Sequence, residues 1–178
     1  MPFIEEWIED LLQSHRCGSA PARSVVPFGG DAWFDAAILD AARVAFVDRI
    51  PFPPVSDYGL PEFEAMAAMP MAGITFRNMY FLDAAQATDG IHFHELVHII
   101  QWQTLRPREF LYSYALSLVQ SGYIESPFEA IAFELQRRFE SGTAPGAVGP
   151  EVVTQAIGSR DVAFDVYRRH GVDWGQPE

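Results

Sequence analysis

Cysteine occurs once in the 178 residues, at Cys17, so the chain can form no internal disulfide and no cysteine-built zinc cluster. A single thiol suits a reducing compartment. Basic residues are also scarce: 12 Lys plus Arg stand against 24 Asp plus Glu, a formal charge of −12. Such a surface repels phosphate backbones and anionic lipid, which excludes nucleic acid and the membrane surface as expected partners. No run reaches the ~18 apolar residues of a spanning helix. The N-terminus, "MPFIEEWIEDLLQSH", carries acids where a secretory signal carries Lys or Arg. The expected location is the cytoplasm. Internal repeats and low-complexity tracts are absent too, which leaves one expected domain over residues 1–178. Its 49% hydrophobic and 13% aromatic content suffices for a single core.

What is present reads as an α+β chain. Phe3, Ile4, Trp7, Ile8, Leu11 and Leu12 recur at helical spacing and predict an amphipathic helix over 3–14 whose Phe3, Trp7, Ile8 stripe packs inward. After the loop "CGSAPARSVVPFGG", Asp31 is placed to cap a helix through "AWFDAAILDAA". "RVAFVDRI" alternates Val44, Phe46 and Ile50 against Arg43 and Arg49, a half-buried strand ended by "PFPP". "GITF" and "MYFL" flank Arg77-Asn78 as a hairpin. Thr88-Asp89 then caps a helix to about Leu105, and "REFLYSYALSLVQ" forms another that stops near Gly122. Ser126-Pro127 starts a third, ending at Ser141-Gly142, before two short helical candidates in the tail at about 149–170. A short antiparallel sheet or hairpin, then packed helices over a core of about 43–140, is the expected arrangement.

Three of the five histidines fall within "IHFHELVHIIQW", residues 91–102. His94-Glu95-Leu96-Val97-His98 is an H-E-x-x-H, and on a helix its two histidines share one face a turn apart, so both imidazoles reach one ion. A chain of this composition contains that pattern by chance roughly 0.01 times. With His94 at zero on the helical wheel, His98 falls at about 40°, Gln101 at about 340°, Trp102 at about 80° and Glu95 at about 100°. Leu96, Ile99, Ile100, Phe93 and Val97 cover roughly 140° to 300°, an apolar face behind the histidines. His92, at about 160°, points away from them and reads as a first-turn surface or core-edge residue. Gln101 and Trp102 lie near the site without an assignable role. His15 and His170 read as single surface residues, and Cys17 as no nucleophile.

Catalytic zinc takes three protein ligands, and no His, Cys or Asp follows at the next spacing on this helix. A carboxylate from "YIESPFEAIAFELQ" is the geometric candidate, with Glu125, Glu129 and Glu134 available. Glu129, on the first turn of its helix, is preferred; Glu134 falls roughly 140° away. Glu129 also completes a capping box with Ser126, which would turn its carboxylate to the backbone instead, and Glu125 is the other alternative.

"HELVHIIQW", followed by "SPFEAIAFE", resembles the zincin-like metallopeptidases of gluzincin type. It is most similar to the small bacterial ones that carry H-E-x-x-H-x-x-Q and a later Pro-x-Glu-x-x-Ala-like helix. "AGITFRNMYFL" resembles their strand pair before the active-site helix, and the resemblance covers about 43–140. It implies a small zincin-like domain, His94, His98 and Glu129 as zinc ligands, Glu95 as catalytic base, and a peptide or protein substrate. Zinc so held lowers the pKa of a bound water towards 7, and Glu95 would take its proton. Tyr112, Tyr114 and Tyr123 are candidate donors to the oxyanion, and a hairpin strand could pair with an extended peptide. The rival expectations are a non-catalytic zincin-like binding module and a regulatory protease acting on one partner protein.

Overall fold

The computed structural model describes residues 2–57 and 59–172. At its start, α1 (Pro2–His15) buries Ile4 and Ile8 as the helical spacing predicts. Phe3 departs from the expected stripe: it lies one position off the Ile4–Ile8 line and is 63% exposed. Two short helices follow, α2 (Ala22–Val25) and α3 (Ala36–Ala41). Asp31 does not cap the second. The backbone reaches helical geometry only after Asp35, and Asp31 instead receives two hydrogen bonds from Arg23.

The sheet has four strands in the order β1-β2-β4-β3, with β1 at Ala20–Pro21, β2 at Arg43–Val47, β3 at Gly73–Phe76 and β4 at Met79–Asp83. The hairpin forms as read from the sequence, with Phe76 opposite Met79 across Arg77-Asn78. Arg77 takes the left-handed φ of 55° that this tight connection requires. The sheet is mixed rather than antiparallel, because β2 pairs parallel with β4, Val44 opposite Tyr80 and Phe46 opposite Leu82. Between β2 and β3 lie residues 48–72, an irregular excursion holding the single-turn α4 (Glu64–Ala67). β2 is shorter than expected, and Phe46, expected inside, is 45% exposed, with its ring edge-on to His92 of the later helix at 6.2 Å.

Four longer helices complete the chain: α5 (Asp89–Thr104), α6 (Pro107–Glu125), α7 (Pro127–Glu140) and α8 (Gly149–Arg169). Thr88 caps α5, its hydroxyl accepting from the Ile91 backbone. Proline at the first turn of α6 and α7 loses no helical hydrogen bond there, and Gly122 (φ 75°) bends the chain at the end of α6 as its position predicts. The tail is one helix, α8, where two were expected. Gly158 costs the helix about 1 kcal/mol relative to alanine. Burial of Val152, Ala156 and Ala163 on the same helix offsets that cost.

The helix α5 runs through the middle of the fold and packs on α7, α8, α6, β3 and β4. Every residue from His92 to Trp102 is buried, so its expected polar face meets no solvent and turns inward instead. On one side Phe93, Leu96, Ile99 and Ile100 join Leu135 and Val152 in a core cluster; on the other Trp102 joins Phe76, Phe81, Phe110 and Phe128. Complete burial of one such side chain contributes roughly 1.5–3 kcal/mol. Cores therefore hold α5 from both flanks, and α1 and α8 contribute to them from outside the expected 43–140 span. No helix among the described residues is long and apolar enough to cross a membrane.

Candidate metal centre

His94 and His98 project from α5 a turn apart, their Nε2 atoms 3.0 Å from one another. Glu129 reaches them from the first turn of α7, its Oε2 3.4 Å from His94 Nε2 and its Oε1 3.5 Å from His98 Nε2. The three ligand atoms lie within 4.8 Å of one another and all three residues are buried. They are close enough to bind one metal ion. Glu129 is 2% exposed, and its Oε2 has no hydrogen-bond partner. A buried carboxylate oxygen without a partner calls for a missing one, and a cation between the three side chains would supply it. The donor set fits: two imidazole nitrogens and a carboxylate are the ligands of an open zinc site.

The capping-box alternative for Glu129 does not form. Ser126 makes no side-chain cap bond, and its hydroxyl pairs with that of Ser117 on α6 at 2.7 Å. This leaves the Glu129 carboxylate free to turn towards α5. Glu125 is exposed, and Glu134 pairs with Arg137 and Arg138 on the outside of α7, so neither joins the cluster. His92 stays outside it as well: its Nδ1 bonds the Tyr80 hydroxyl at 2.9 Å, and burial holds its pKa down.

Gln101 has the role that its position alone did not disclose. Its amide nitrogen donates to the Phe128 carbonyl at 2.9 Å, which directs its oxygen at His98 Nδ1, 2.7 Å away. An acceptor there puts the proton on Nδ1 and leaves the Nε2 lone pair aimed at the cluster, the tautomer a metal needs. The available signal was its place on the wheel beside the two histidines, three residues after His98.

Glu95 stands beside the cluster but outside it. Its Oε2 accepts the Thr75 hydroxyl at 2.6 Å from β3, and it is 4% exposed. Burial raises its pKa above the usual carboxylate range, against the lowering influence of His94 and His98. Gly73 makes room for it: a Cβ there would sit 2.5 Å from Glu95 Oε1 and 2.8 Å from Leu82 Cδ2. Burial also opposes the charges of the His98–Glu129 pair, but their mutual attraction wins. It raises His98 to about 9 and holds Glu129 well below the carboxylate range.

The His98 shift has a measurable consequence for the metal-free protein. A histidine raised from 6.5 to about 9 stabilises the fold fully below pH 6.5 and loses that contribution as the pH rises through 9. Metal must displace the same proton. Zinc affinity should therefore climb about tenfold per pH unit between pH 6.5 and 8.5, with about one proton released per ion, and level off above 9. Competition titrations with a zinc indicator across that range measure it; a flat profile would place the proton elsewhere.

The three tyrosines separate. Tyr114 donates to Glu129 Oε1 at 2.6 Å, and burial followed by the Glu129 charge raises its pKa. Tyr123 lines the same cavity, its pKa raised by burial and then by Glu129 and Glu95. Tyr112 does not line it and packs edge-on against Tyr167. Trp102 also gains a place: its Nε1 donates to the Thr75 carbonyl at 3.1 Å, tying α5 to the sheet edge. "PFPP" does more than end a strand, since Phe52 and Pro53 line the cavity with Leu60, Phe63, Met66 and Met71 from the 48–72 excursion. Cys17 is exposed. No protein-family model matches this chain, and no curated protein or solved structure matches it either.

Proposed function

We propose that this protein is a zinc-dependent hydrolase of peptide bonds, with His94, His98 and Glu129 as the zinc ligands and Glu95 as the general base. The observation that carries the reading is the pairing of a buried two-histidine, one-carboxylate cluster with a second buried carboxylate that is not part of it. A purely structural zinc site closes with a fourth protein ligand and has no use for a buried acid next to it. Bound zinc supplies Lewis acidity at a substrate carbonyl and an acidified water.

The remaining chemistry belongs to the chain. Thr75 fixes one oxygen of Glu95 through a hydrogen bond, which leaves the other to take a proton and hand it to a leaving amine. The raised pKa of Glu95 brings it nearer to neutral pH, where an acid–base residue works best. Gln101 orients His98, and Tyr114 orients Glu129. Tyr123, kept protonated by burial and by the Glu129 and Glu95 charges, lines the cavity beside Glu129 and would donate to developing negative charge. An exposed free thiol at Cys17 is consistent with action in a reducing compartment such as the cytoplasm.

Elemental analysis of protein purified without chelator tests the reading. About one zinc per chain is expected, and chelator should abolish hydrolysis of a blocked, phenylalanine-containing fluorogenic peptide until zinc is restored. A stripped protein that takes up no zinc on titration would end the proposal.

A further inference from the structure

The cavity beside the cluster has about 120 Å³ of space, and its walls differ in burial from one end to the other. Around the Phe76 end of β3, the lining residues Ile4, Phe76, Trp102 and Phe110 are all between 4% and 7% exposed. Trp102 stacks on Phe110 with ring centroids 4.0 Å apart, and Phe110 stacks on Tyr114. Arg108 bonds Glu5 across the outside of this junction, tying α6 to α1. At the other end the lining residues Phe63, Met66, Met71, Gly73, Leu118 and Tyr123 are half-exposed. The cleft therefore opens on the excursion side and stops at an aromatic wall.

The sheet edge is closed in the same direction. β3 is an edge strand, and its register with β4, continued by the Asp83 N–H to Ala72 carbonyl bond, turns the backbone groups of Ile74 and Phe76 towards β4. Those of Gly73 and Thr75 face the open edge. The indole of Trp102 occupies the Thr75 carbonyl, so a peptide laid along the strand would lose its pairing there and run into the wall. Gly73 keeps both of its groups. Among the described residues no arginine lines the cavity, and its acids, Glu129 and Glu95, stand beside the two histidines, so an added carboxylate meets two buried carboxylates and no arginine. The rest of the lining is predominantly aliphatic, aromatic and methionine.

We infer that the cleft takes its substrate end-on, one uncharged apolar group filling the blind end and one backbone pairing made at Gly73, and not as an extended polypeptide crossing the sheet edge. The inference names the substrate class for the hydrolase reading above and rests on it. A short peptide or a chain end bearing a terminal hydrophobic group fits; a segment that must continue past that group does not.

Methyl resonances of methionine test this with or without metal, because Met66 and Met71 line the cavity and Met69 does not. Methyl-labelled protein, with its zinc content measured on the same sample, is titrated with acetamide, with 3-phenylpropionamide, and with 3-phenylpropionamide carrying three alanines beyond its ring. The expected result is saturable movement of Met66 and Met71, with Met69 still, by 3-phenylpropionamide, and at least tenfold weaker binding of the other two. Equal binding of the ring-extended compound would overturn the inference, as would movement of Met69 alone. Absence of zinc in a sample with the expected selectivity would count against the hydrolase reading and leave the shape of the cleft standing.

Discussion

Glu129→Gln is expected to lower zinc affinity by on the order of 10³-fold, about 4 kcal/mol, while the protein stays folded. Glutamine matches glutamate in volume, and its amide oxygen can still accept from Tyr114, so the packing of Phe128, Ala132 and Leu135 on the same helix is undisturbed. What disappears is the negative ligand that holds the two imidazoles together. In the metal-free variant, His98 also loses the Glu129 charge that opposes burial and helps to raise it to about 9, so its pKa should fall. Indicator competition measures the first effect and imidazole NMR the second. The neighbouring change Gln101→Leu should be milder, about 10–100-fold in affinity, because it removes only the group that orients His98. Zinc binding within fivefold of wild type in Glu129→Gln would remove Glu129 from the ligand set.

Glu95→Gln should do the reverse: zinc stays near one per chain, and hydrolysis falls by about 10²–10⁴-fold. The side-chain amide can keep the Thr75 hydrogen bond and fill the same space, so a loss of rate with metal retained isolates proton transfer. The pH profile gives a second readout. Burial raises the Glu95 pKa in the metal-free protein and a bound cation would oppose that shift, so wild-type activity should fall on the acid side as this carboxylate is protonated. The variant should lose this acid limb. Gly73→Ala should disturb the same group from the opposite side, since its Cβ would meet Glu95 Oε1 at 2.5 Å. Full activity in Glu95→Gln would show that the base lies elsewhere.

The two histidines were legible because a helix alone fixes their relation: i and i+4 share a face whatever surrounds them. Glu129 was half legible. Its place on a first turn was plain, but the choice between capping and ligation depended on Ser117, on another helix, taking the Ser126 hydroxyl. Gln101 depended on the Phe128 carbonyl, 27 residues further on. The parallel pairing of β2 with β4 was hidden for the same reason, since alternation within "RVAFV" says nothing about which strand lies beside it. Gly158 suggested a break in α8 that burial of that helix overrode, and Asp31 offered a cap that Arg23 claimed for an ion pair. In each case local chemistry allowed two outcomes and a distant partner chose between them.

The excursion over residues 48–72 has both ends anchored in the sheet, leaving β2 at Val47 and entering β3 at Gly73, with β4 between those strands. Closing a loop between fixed posts becomes costlier only slowly with length, by about 0.6 kcal/mol for each doubling. Phe52, Leu60, Phe63, Met66 and Met71 sit on that loop, whereas every group of the metal cluster sits on α5 and α7. The outer part of the cleft lining and the proposed metal ligands therefore sit on separate segments, whereas the blind end belongs to α1, β3, α5 and α6. Insertions or substitutions in the excursion would remodel the mouth of the cleft while leaving His94, His98 and Glu129 in place, which makes this segment the natural place for selection, or a protein engineer, to diversify the protein.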